Sequence, residues 1–328
     1  MTTVTVIIVN YNGAPYISRC LTSLVQQTYP AFKAIIVDNA STDESKNVLQ
    51  DLDSRFEVIF LDRNVGFAAA NNLALKLAQT QWVATLNPDA FPRPDWLEKL
   101  MRGTQMYPQV TFFGSVQIQD RVPDRLDGIG DVYSGMGLFW RGAFDYPLGA
   151  VTSDGEIFSP CAAAALYRLD AIKQAGGFDE SFFCYCEDVD LGFRLRLMGH
   201  KCVLVKDAVV GHLGSESVGR YGEFAIYHGF RNRIWTFVKN YPGPLFFVMA
   251  PLTLITFLAL AFDKIRIGRS APALAGLKDA LVDLRRVWEQ RRKIQASRTR
   301  NSHQIYRSMC WSPLKLLRRG ADVRKAPQ

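Results

Sequence analysis

The chain of 328 residues is long enough for one large α/β domain with an appendage, or for two modest domains. Its 48% hydrophobic and 21% charged residues exclude a disordered chain. The net charge of +8 is uneven, because residues 264–328 hold 17 Lys and Arg against 4 Asp and Glu, whereas the rest is mildly acidic. Such a tail predicts a polyanionic partner. An anionic membrane surface is favoured over nucleic acid, since no nucleic-acid-binding module accompanies the charge.

The cysteines and the N-terminus indicate the compartment. Six cysteines form no Cys-x-x-Cys pair and no small-domain disulfide framework. The first residues, MTTVTVIIVNYNG, have neither the charged start nor the small-residue cleavage site of a signal peptide. We therefore expect reduced thiols and a cytoplasmic location.

Buried strands alternate with helices over the first 90 residues. Apolar β-branched runs predict strands, and the segments between them predict helices: strands at 4–9, 33–37, 56–61 and 81–87, helices at 14–27, 43–52 and 66–80. This alternation predicts an α/β fold with a doubly wound, mostly parallel sheet. Ligands of such sheets bind at the carboxyl ends of the strands. Three polar clusters lie there, at residues 10–12, 38–39 and 87–89.

A long apolar segment precedes the basic tail. No charge lies between Lys239 and Asp263, and residues 244–262 are long enough to cross a bilayer. A single crossing that keeps the basic tail in the cytoplasm would export the preceding domain. Three prolines also interrupt the segment. We therefore expect a peripheral or re-entrant segment at the cytoplasmic face, with burial in a dimer or against the main domain as the alternative.

The tail itself contains an amphipathic pattern. One apolar helix face is formed by Leu274, Leu277, Leu281, Leu284 and Trp288, and basic residues fill much of the rest. This pattern is typical of a helix on an anionic lipid surface. A helix that packs on the protein with a solvated basic face is the alternative.

Three polar positions suggest a nucleotide and metal site. Asp89 follows a buried strand, and a carboxylate there can hold Mg²⁺ or Mn²⁺ against a diphosphate, although Asp at such a turn is also a common helix cap. Asp38 could accept hydrogen bonds from a nucleobase or a ribose. His212 would join the metal if the fold brings it near Asp89. Otherwise a lone His is an ordinary core or surface residue.

Residues 182–200, FFCYCEDVDLGFRLRLMGH, predict a helix that begins near Glu187. Asp190 and Arg194 are four residues apart and are expected to pair on its surface. Glu187 and Asp188 lie in the first turn, where negative charge favours the helix dipole. Capping thus accounts for both acids. However, an aromatic wall around them would raise the pKa of a carboxyl and allow it to act as a general base.

Six stretches in order resemble the family-2 glycosyltransferases of the type A nucleotide-sugar fold: TVIIVNYNG, VDNASTDES, NVGFAAANN, TLNPDA, GGFDESFFCYCEDVDLGFRLRLMGH and Gly211-His212. The resemblance covers roughly residues 4 to 215, and within the family it is greatest to bacterial rhamnosyltransferases of surface-polysaccharide assembly. With the apolar segment it implies a catalytic domain over residues 1–240 and a helical membrane-associating tail over residues 241–328. No Gln-x-x-Arg-Trp sequence occurs, so transfer of one sugar is expected rather than processive synthesis.

The resemblance implies inverting, metal-dependent transfer from a nucleoside diphosphate sugar, with dTDP-rhamnose as the first candidate, to a lipid-linked saccharide. It assigns a nucleotide-sugar site to Asn10, Tyr11, Asp38, Asn64, Asn72 and Asp89. Asp89 and His212 would hold Mn²⁺ or Mg²⁺, with Asn87 in place of the first acid of the family's Asp-x-Asp motif. Asp188 would be the catalytic base, and Glu187 would orient the acceptor or the base.

Other functions stay open. A nucleotidyltransferase would need a Gly-rich, Lys-containing phosphate loop, which VNYNGAPYISR lacks. A transferase for another hexose and a non-catalytic, membrane-attached nucleotide-sugar scaffold are compatible with the sequence. A homo-oligomer is also compatible with it.

Overall fold

The computed structural model describes residues 4–214 and 222–327, so the last position of the stretch 4–215 lies outside the described residues. The strands of this part are β1 (Val4–Asn10), β2 (Phe32–Asp38), β3 (Phe56–Phe60), β4 (Trp82–Leu86), β5 (Ala90–Pro92), β6 (Phe112–Gln119), β7 (Val122–Gly128), β8 (Asp131–Tyr133), β9 (Phe139–Arg141), β10 (Gly155–Ile157), β11 (Ala164–Arg168) and β12 (Cys202–His212). The helices are α1 (Ala14–Val25), α2 (Ser45–Val48), α3 (Phe67–Leu77), α4 (Trp96–Met106), α5 (Leu169–Gln174), α6 (Glu187–Leu197), α7 (Glu223–Asn240), α8 (Gly243–Arg266), α9 (Ser270–Val282), α10 (Leu284–Ala296), α11 (Ser302–Ser308) and α12 (Pro313–Arg318).

Ten strands form one mixed sheet. The order is β10-β12-β6-β11-β4-β1-β2-β3, with β5 beside β12 and β7 beside β6, and β8 pairs with β9 separately. The predicted doubly wound α/β architecture is confirmed: β3, β2, β1 and β4 are parallel neighbours. β11 runs antiparallel between β4 and β6.

Both faces of the sheet are buried, as the continuous apolar runs of its parallel strands require. In β1, Ile7 and Val9 join one hydrophobic cluster, whereas Val6 and Ile8 join the cluster on the opposite face. Because side chains alternate along a strand, one strand supplies both cores. The polar residue that follows, Asn10, is therefore fixed at the sheet edge.

Two local predictions were wrong in extent. The helix predicted at 43–52 is the single turn α2, because the Asp43 side chain accepts hydrogen bonds from the amides of Ala14 (2.9 Å) and Ser45 (3.0 Å) and starts the helix late. The sequence KCVLVKDAVVGH, residues 201–212, predicts a pair of strands, but it forms the one strand β12. Its register against β6 shifts between Val205 and Val209, where an exposed bulge interrupts the pattern but not the direction.

The C-terminal helices pack on the sheet domain. One hydrophobic cluster contains Phe193 of α6, Trp235 of α7, Tyr241, Leu245 of α8 and Val287 of α10. The packing therefore crosses the boundary proposed at residue 240, and the division into residues 1–240 and 241–328 stays a prediction.

α8 is one continuous helix of 24 residues, although Pro251 lies inside it. The expectation that prolines interrupt the segment was wrong, because a proline removes one hydrogen bond without ending a helix whose other turns persist. α8 is long and apolar enough to cross a membrane, and only 22% of the residues in its most apolar part are buried. Its exposed face includes Phe247, Leu254, Ile255 and Phe262.

The amphipathic pattern at 274–288 is divided between α9 and α10 rather than forming one helix. α9 packs on α7 through the small residues Ala273, Gly276 and Ala280. A Cβ on Gly276 would lie 2.4 Å from the Tyr227 carbonyl oxygen, so the approach of the helices needs the missing side chain. Leu274 and Leu281 therefore remain exposed on the outer face, beside α8.

Candidate active site

The first part of the site lies at the carboxyl ends of β1 and β2. The parallel register places Asn10 opposite Asp38, and Asn10 Nδ2 donates to Asp38 Oδ2 over 2.9 Å. The other carboxylate oxygen of Asp38 accepts from the Ser41 amide over 2.9 Å. Both side chains are fully buried. The structure thus brings these two predicted residues together, and Asp38 also holds the loop that follows β2.

The other predicted nucleotide residues differ in exposure. Tyr11 follows Asn10 and is 49% exposed at the same edge. Asn64 Oδ1 accepts from Asn39 Nδ2 over 2.9 Å, which ties it to the loop after β2. Asn72 instead hydrogen-bonds both backbone groups of Phe178. Its contacts indicate a packing role, and its part in nucleotide binding remains a prediction.

Asp89 and His212 meet because β5 pairs with β12, which sets His212 opposite Ala90. His212 Nε2 lies 3.4 Å from Asp89 Oδ1, and both side chains are buried. This nitrogen has no hydrogen-bond partner among the described residues. Burial lowers the pKa of His212, but the hydrogen bond with Asp127 and the negative charges of Asp127 and Asp89 outweigh it and raise the pKa to about 9. The two carboxylates therefore favour a positive charge at this point.

Asp127 is a site residue that the sequence analysis missed. Its Oδ2 lies 2.7 Å from His212 Nδ1. Because a carboxylate can only accept, Nδ1 donates its hydrogen to Asp127. A cation would therefore bind His212 by replacing the proton of Nε2, the nitrogen nearest Asp89. The same oxygen of Asp127 pairs with Arg141. Histidines that ligate metals are commonly oriented in this way by a carboxylate.

A divalent cation fits this arrangement. It would be held by Asp89 and by the unpaired Nε2 of His212, a donor set of oxygen and imidazole that suits Mn²⁺ or Mg²⁺. The described residues contain no group of three His, Cys, Asp or Glu side chains that could hold a metal. Any remaining ligands would therefore come from a bound diphosphate, water or neutral side chains.

The second part of the site is the start of α6, which a strained segment presents. Phe183, Tyr185 and Cys186 all have positive φ, between 64° and 70°. Such a conformation costs of order 1 kcal/mol per residue and persists only when the surroundings impose it. Here Asn232 of α7 imposes it: its fully buried Nδ2 donates to the carbonyls of residues 182, 184 and 185 over 2.8–3.0 Å.

The two acids of the first turn of α6 differ in environment. Asp188 is half-buried and accepts hydrogen bonds from the amides of Ala162 (3.1 Å) and Val189 (2.8 Å). Burial raises its pKa, and these amides together with Arg141 oppose the rise. Glu187 is buried, and burial together with the charge of Asp188 raises its pKa well above the ordinary value. The pKa of Asp188 is therefore still raised, but this carboxylate has hydrogen-bond donors that favour its ionised form.

A cavity of about 360 Å³, here the acceptor cavity, opens beside Asp188. Its walls come from α6, α7, β9 and the loop before β11, and include Asn87, Asp131, Arg141, Cys161, Glu187, Asp188 and Arg233. Asp131 is buried, and its Oδ2 has no partner among the described residues. Burial and the charge of Asp188 raise the pKa of Asp131 well above the ordinary value. The segment 110–160 gave no periodic signal that would have identified it.

Asp190 pairs with Arg194 as predicted, over 2.9 Å, but the expected surface location was wrong. Asp190 is fully buried and also contacts Lys239 Nζ (3.0 Å) and Asn240 Nδ2 (2.8 Å) from α7. These α7 partners bury the pair, and sequence spacing within α6 gives no information about them. Asp190 thus fixes α6 against α7 and lies outside the acceptor cavity lining.

The model of the family described as "Glycosyl transferase family 2" matches residues 5–176, more than half of the chain. The chain belongs to this family. The glycosyltransferase is also similar in fold to the mannosyltransferase PcManGT from Pyrobaculum calidifontis, solved with GDP-Man and Mn²⁺, with a TM-score of 0.55 and 19% identity. That alignment covers 90% of this chain and 85% of the other. The predicted type A glycosyltransferase fold is confirmed.

Two relatives extend the similarity. The N-acetylglucosaminyl-diphospho-decaprenol L-rhamnosyltransferase of Mycobacterium tuberculosis is 28% identical over 240 residues, which is 66% of this glycosyltransferase and 77% of the relative. The O-antigen biosynthesis protein RfbC of Myxococcus xanthus is 32% identical over 224 residues, 64% of this chain. The match covers 17% of RfbC, so most of that protein has no counterpart here.

Proposed function

We propose that this glycosyltransferase transfers a single sugar, with rhamnose the first candidate, from a nucleoside diphosphate sugar to a hydroxyl of a lipid-linked glycan in cell-surface polysaccharide assembly. The observation that carries the proposal is the Asp188 carboxylate, held by two backbone amides beside the acceptor cavity. The mycobacterial relative, whose name includes a lipid diphosphate acceptor and L-rhamnose, supports both substrate classes.

In this proposal Asp188 removes the proton of the acceptor hydroxyl. Its amide donors and Arg141 stabilise the carboxylate, and burial raises its pKa above the ordinary value, as a general base requires. The deprotonated oxygen then attacks the anomeric carbon from the face opposite the diphosphate, and one displacement inverts the configuration. A cation bound at Asp89 and His212, supported by the Mn²⁺ of PcManGT, would offset charge on the departing diphosphate.

The exchange of Asp188 for Asn tests the base. Asp188→Asn keeps the size of the side chain and one of the two amide contacts, because its carbonyl oxygen can still accept and its NH2 group cannot. It has no carboxylate to take up the proton, so transfer should fall by about 10²–10⁴-fold. Nucleotide-sugar binding, measured by calorimetry, should change little. A variant that still transfers at the wild-type rate would refute the assignment.

Two alternatives are separated by the same assay. A panel of nucleotide sugars with Mn²⁺ or with EDTA identifies the donor, and turnover with a hexose other than rhamnose would support the broader transferase. Binding without turnover by the wild-type protein under any condition would favour the non-catalytic, membrane-attached scaffold.

We place the protein at the cytoplasmic face of the membrane, with α8 peripheral or re-entrant at the anionic surface. The exposed apolar face of α8 and the exposed leucines of α9 support this location. Exchange of both Ile255 and Phe262 for Glu should lower binding to phosphatidylglycerol vesicles at least tenfold in a sedimentation assay, because each apolar side chain contributes about 1.5–3 kcal/mol when buried.

The matched control is Met106→Glu, at an equally exposed apolar residue of α4. It should leave vesicle binding unchanged. Equal binding by the double variant and the wild type would exclude α8 as the membrane contact.

A further inference from the structure

A second cavity of about 450 Å³ adjoins the acceptor cavity. The two share one wall, formed by Phe139, Trp140 and Arg141 of β9 and by Ala225, Gly229 and Arg233 of α7. From this wall the second cavity, here the basic cavity, extends to Phe257, Leu260 and Lys264 of α8 and to Leu316 and Arg319. It therefore connects the surroundings of Asp188 with the apolar helix.

The charge reverses between the two cavities. The acceptor cavity is lined by three carboxyls, Asp131, Glu187 and Asp188, against the two arginines of the shared wall. The basic cavity is lined by Arg141, Arg233, Lys264 and Arg319, and no Asp or Glu is among its described lining residues. A bound molecule would thus meet a proton acceptor at one end and an anion-binding group of cations at the other.

Two of these cations, Arg233 and Arg319, are placed to offer N–H groups to a ligand. Arg233 donates to the Phe139 carbonyl over 3.2 Å and stacks on the Phe139 ring, which leaves other N–H groups of its five available. Lys264 is part of the cavity lining and pairs with the neighbouring Asp263 over 3.1 Å. Arg319 is exposed at the mouth of the cavity.

The wall beyond the cations is apolar. Phe257, Leu260 and Lys264 follow each other at helical spacing on one side of α8, whereas Leu254, Ile255 and Leu258 on its other sides are exposed. A ligand that fits all three parts carries a hydroxyl, an anion and an apolar chain in that order. Neither Asp89 nor His212 lines either cavity, so this anion is distinct from the diphosphate of the donor.

We propose that the basic cavity binds the diphosphate of the lipid-linked acceptor through Arg233, Lys264 and Arg319, with the first carbons of the lipid against Phe257 and Leu260. The acceptor sugar then occupies the acceptor cavity beside Asp188. This assignment rests on the proposed function and adds the residues that would select an acceptor with a diphosphate.

Farnesyl diphosphate and farnesol are the probes, because they differ only in the anion. With EDTA present, to remove any metal-dependent binding at the donor site, calorimetry should show that farnesyl diphosphate binds the wild-type protein at least tenfold more tightly than farnesol. Arg233→Gln and Arg319→Gln should each weaken farnesyl diphosphate about tenfold and leave farnesol unchanged, since a hydrogen bond to a charged group contributes about that factor.

The control is Arg285→Gln on α10, whose side chain is 95% exposed and lines neither cavity. It should leave binding of both probes unchanged. Arg319→Gln lies on the surface, so it keeps the test valid if Arg233→Gln disturbs folding. The proposal would be overturned if the control weakened farnesyl diphosphate binding as much as the two variants do, or if farnesyl diphosphate bound only with Mn²⁺. It would also be overturned if the two variants weakened binding to phosphatidylglycerol vesicles equally.

Transfer activity separates this site from the proposed function. Transfer by wild type together with unchanged farnesyl diphosphate affinity in both variants would refute the site alone. Weakened affinity in both variants without transfer from any nucleotide sugar would support the site and refute the proposed function.

Discussion

The edge where Asn10, Asp38 and Asp89 lie and the start of α6 both hold buried carboxylates, but they are built differently. At the sheet edge, strand register alone aligns the residues, since Asn10 is opposite Asp38 and His212 is opposite Ala90. At α6, a strained segment is held by side chains of α7, about 45 positions later. Sheet register fixes the backbone at the sheet edge without individual side chains, whereas the backbone at the start of α6 is held by individual side chains. The following variants test that difference.

The largest effect is expected at Asp190. Asp190→Ala removes the partner of Arg194 and one partner of Lys239, both buried. Breaking a buried ion pair from one side costs about 3–5 kcal/mol, because it leaves uncompensated charge. The free energy of unfolding from urea denaturation should fall by that amount.

Asp53→Ala is the control, because it removes a partly exposed carboxylate that pairs with Arg55 just before the edge strand β3. It should not shift the urea midpoint measurably. Similar losses in the two variants would show that α6 is no more dependent on single side chains than the surface.

A smaller effect is expected at the sheet edge, for Asp127→Asn. The strand pairing of β5 and β12 remains, so His212 stays near Asp89, but the carboxylate that fixes its tautomer is lost. Loss of such a partner weakens metal binding about 10–100-fold. Mn²⁺ affinity is measured by electron paramagnetic resonance titration.

Asp120→Asn is the control, because it removes a negative charge near His212 but leaves the hydrogen bond between His212 and Asp127 in place. Asp120 is close to the end of β12, where its amide donates to the His212 carbonyl over 3.1 Å, but its carboxylate pairs with Arg19. The Mn²⁺ affinity of the Asp120→Asn variant should match that of the wild type within about twofold. An equal loss in both variants would indicate a general electrostatic effect and no orienting role for Asp127.

The sequence predicted the sheet edge, where strand register aligns the residues, much better than the surroundings of α6. Alternating apolar runs located β1, β2 and β4, and the polar residues after them led to Asn10, Asp38 and Asp89. The start of α6 at Glu187 was also predicted. Asp127 and Asp131 were missed, because the segment around them has no regular period and their neighbours come from β12 and α6.

α7 was absent from the sequence analysis, and the misplacement of Asp190 follows from that omission. Its polar residues Asn232, Lys239 and Asn240 match no motif, and their importance arises only when the helix packs on α6. Sequence spacing reports contacts within a helix, so it gave the Asp190–Arg194 pair. Burial is a property of the packed helices, and it could not be obtained in that way.

The smallest effect is expected for Asn232→Ala, which isolates the positioning of Asp188 from its chemistry. The three carbonyl contacts of Asn232 hold the positive-φ segment that leads into α6. Without them, we expect kcat to fall about tenfold, because small displacements of a catalytic group lower the rate strongly. The Kd of the nucleotide sugar should stay unchanged, and amide exchange at residues 183–186 should accelerate.

Tyr241→Phe is the matched control. It removes a buried hydroxyl that bonds the carbonyls of Ser134 and Gly135 from the end of α7, without contacting the strained segment. It should cost stability but leave exchange at 183–186 and kcat unchanged. If Tyr241→Phe lowers kcat as much as Asn232→Ala does, α7 acts through general stability, and the start of α6 would need no individual clamp to hold Asp188 in place.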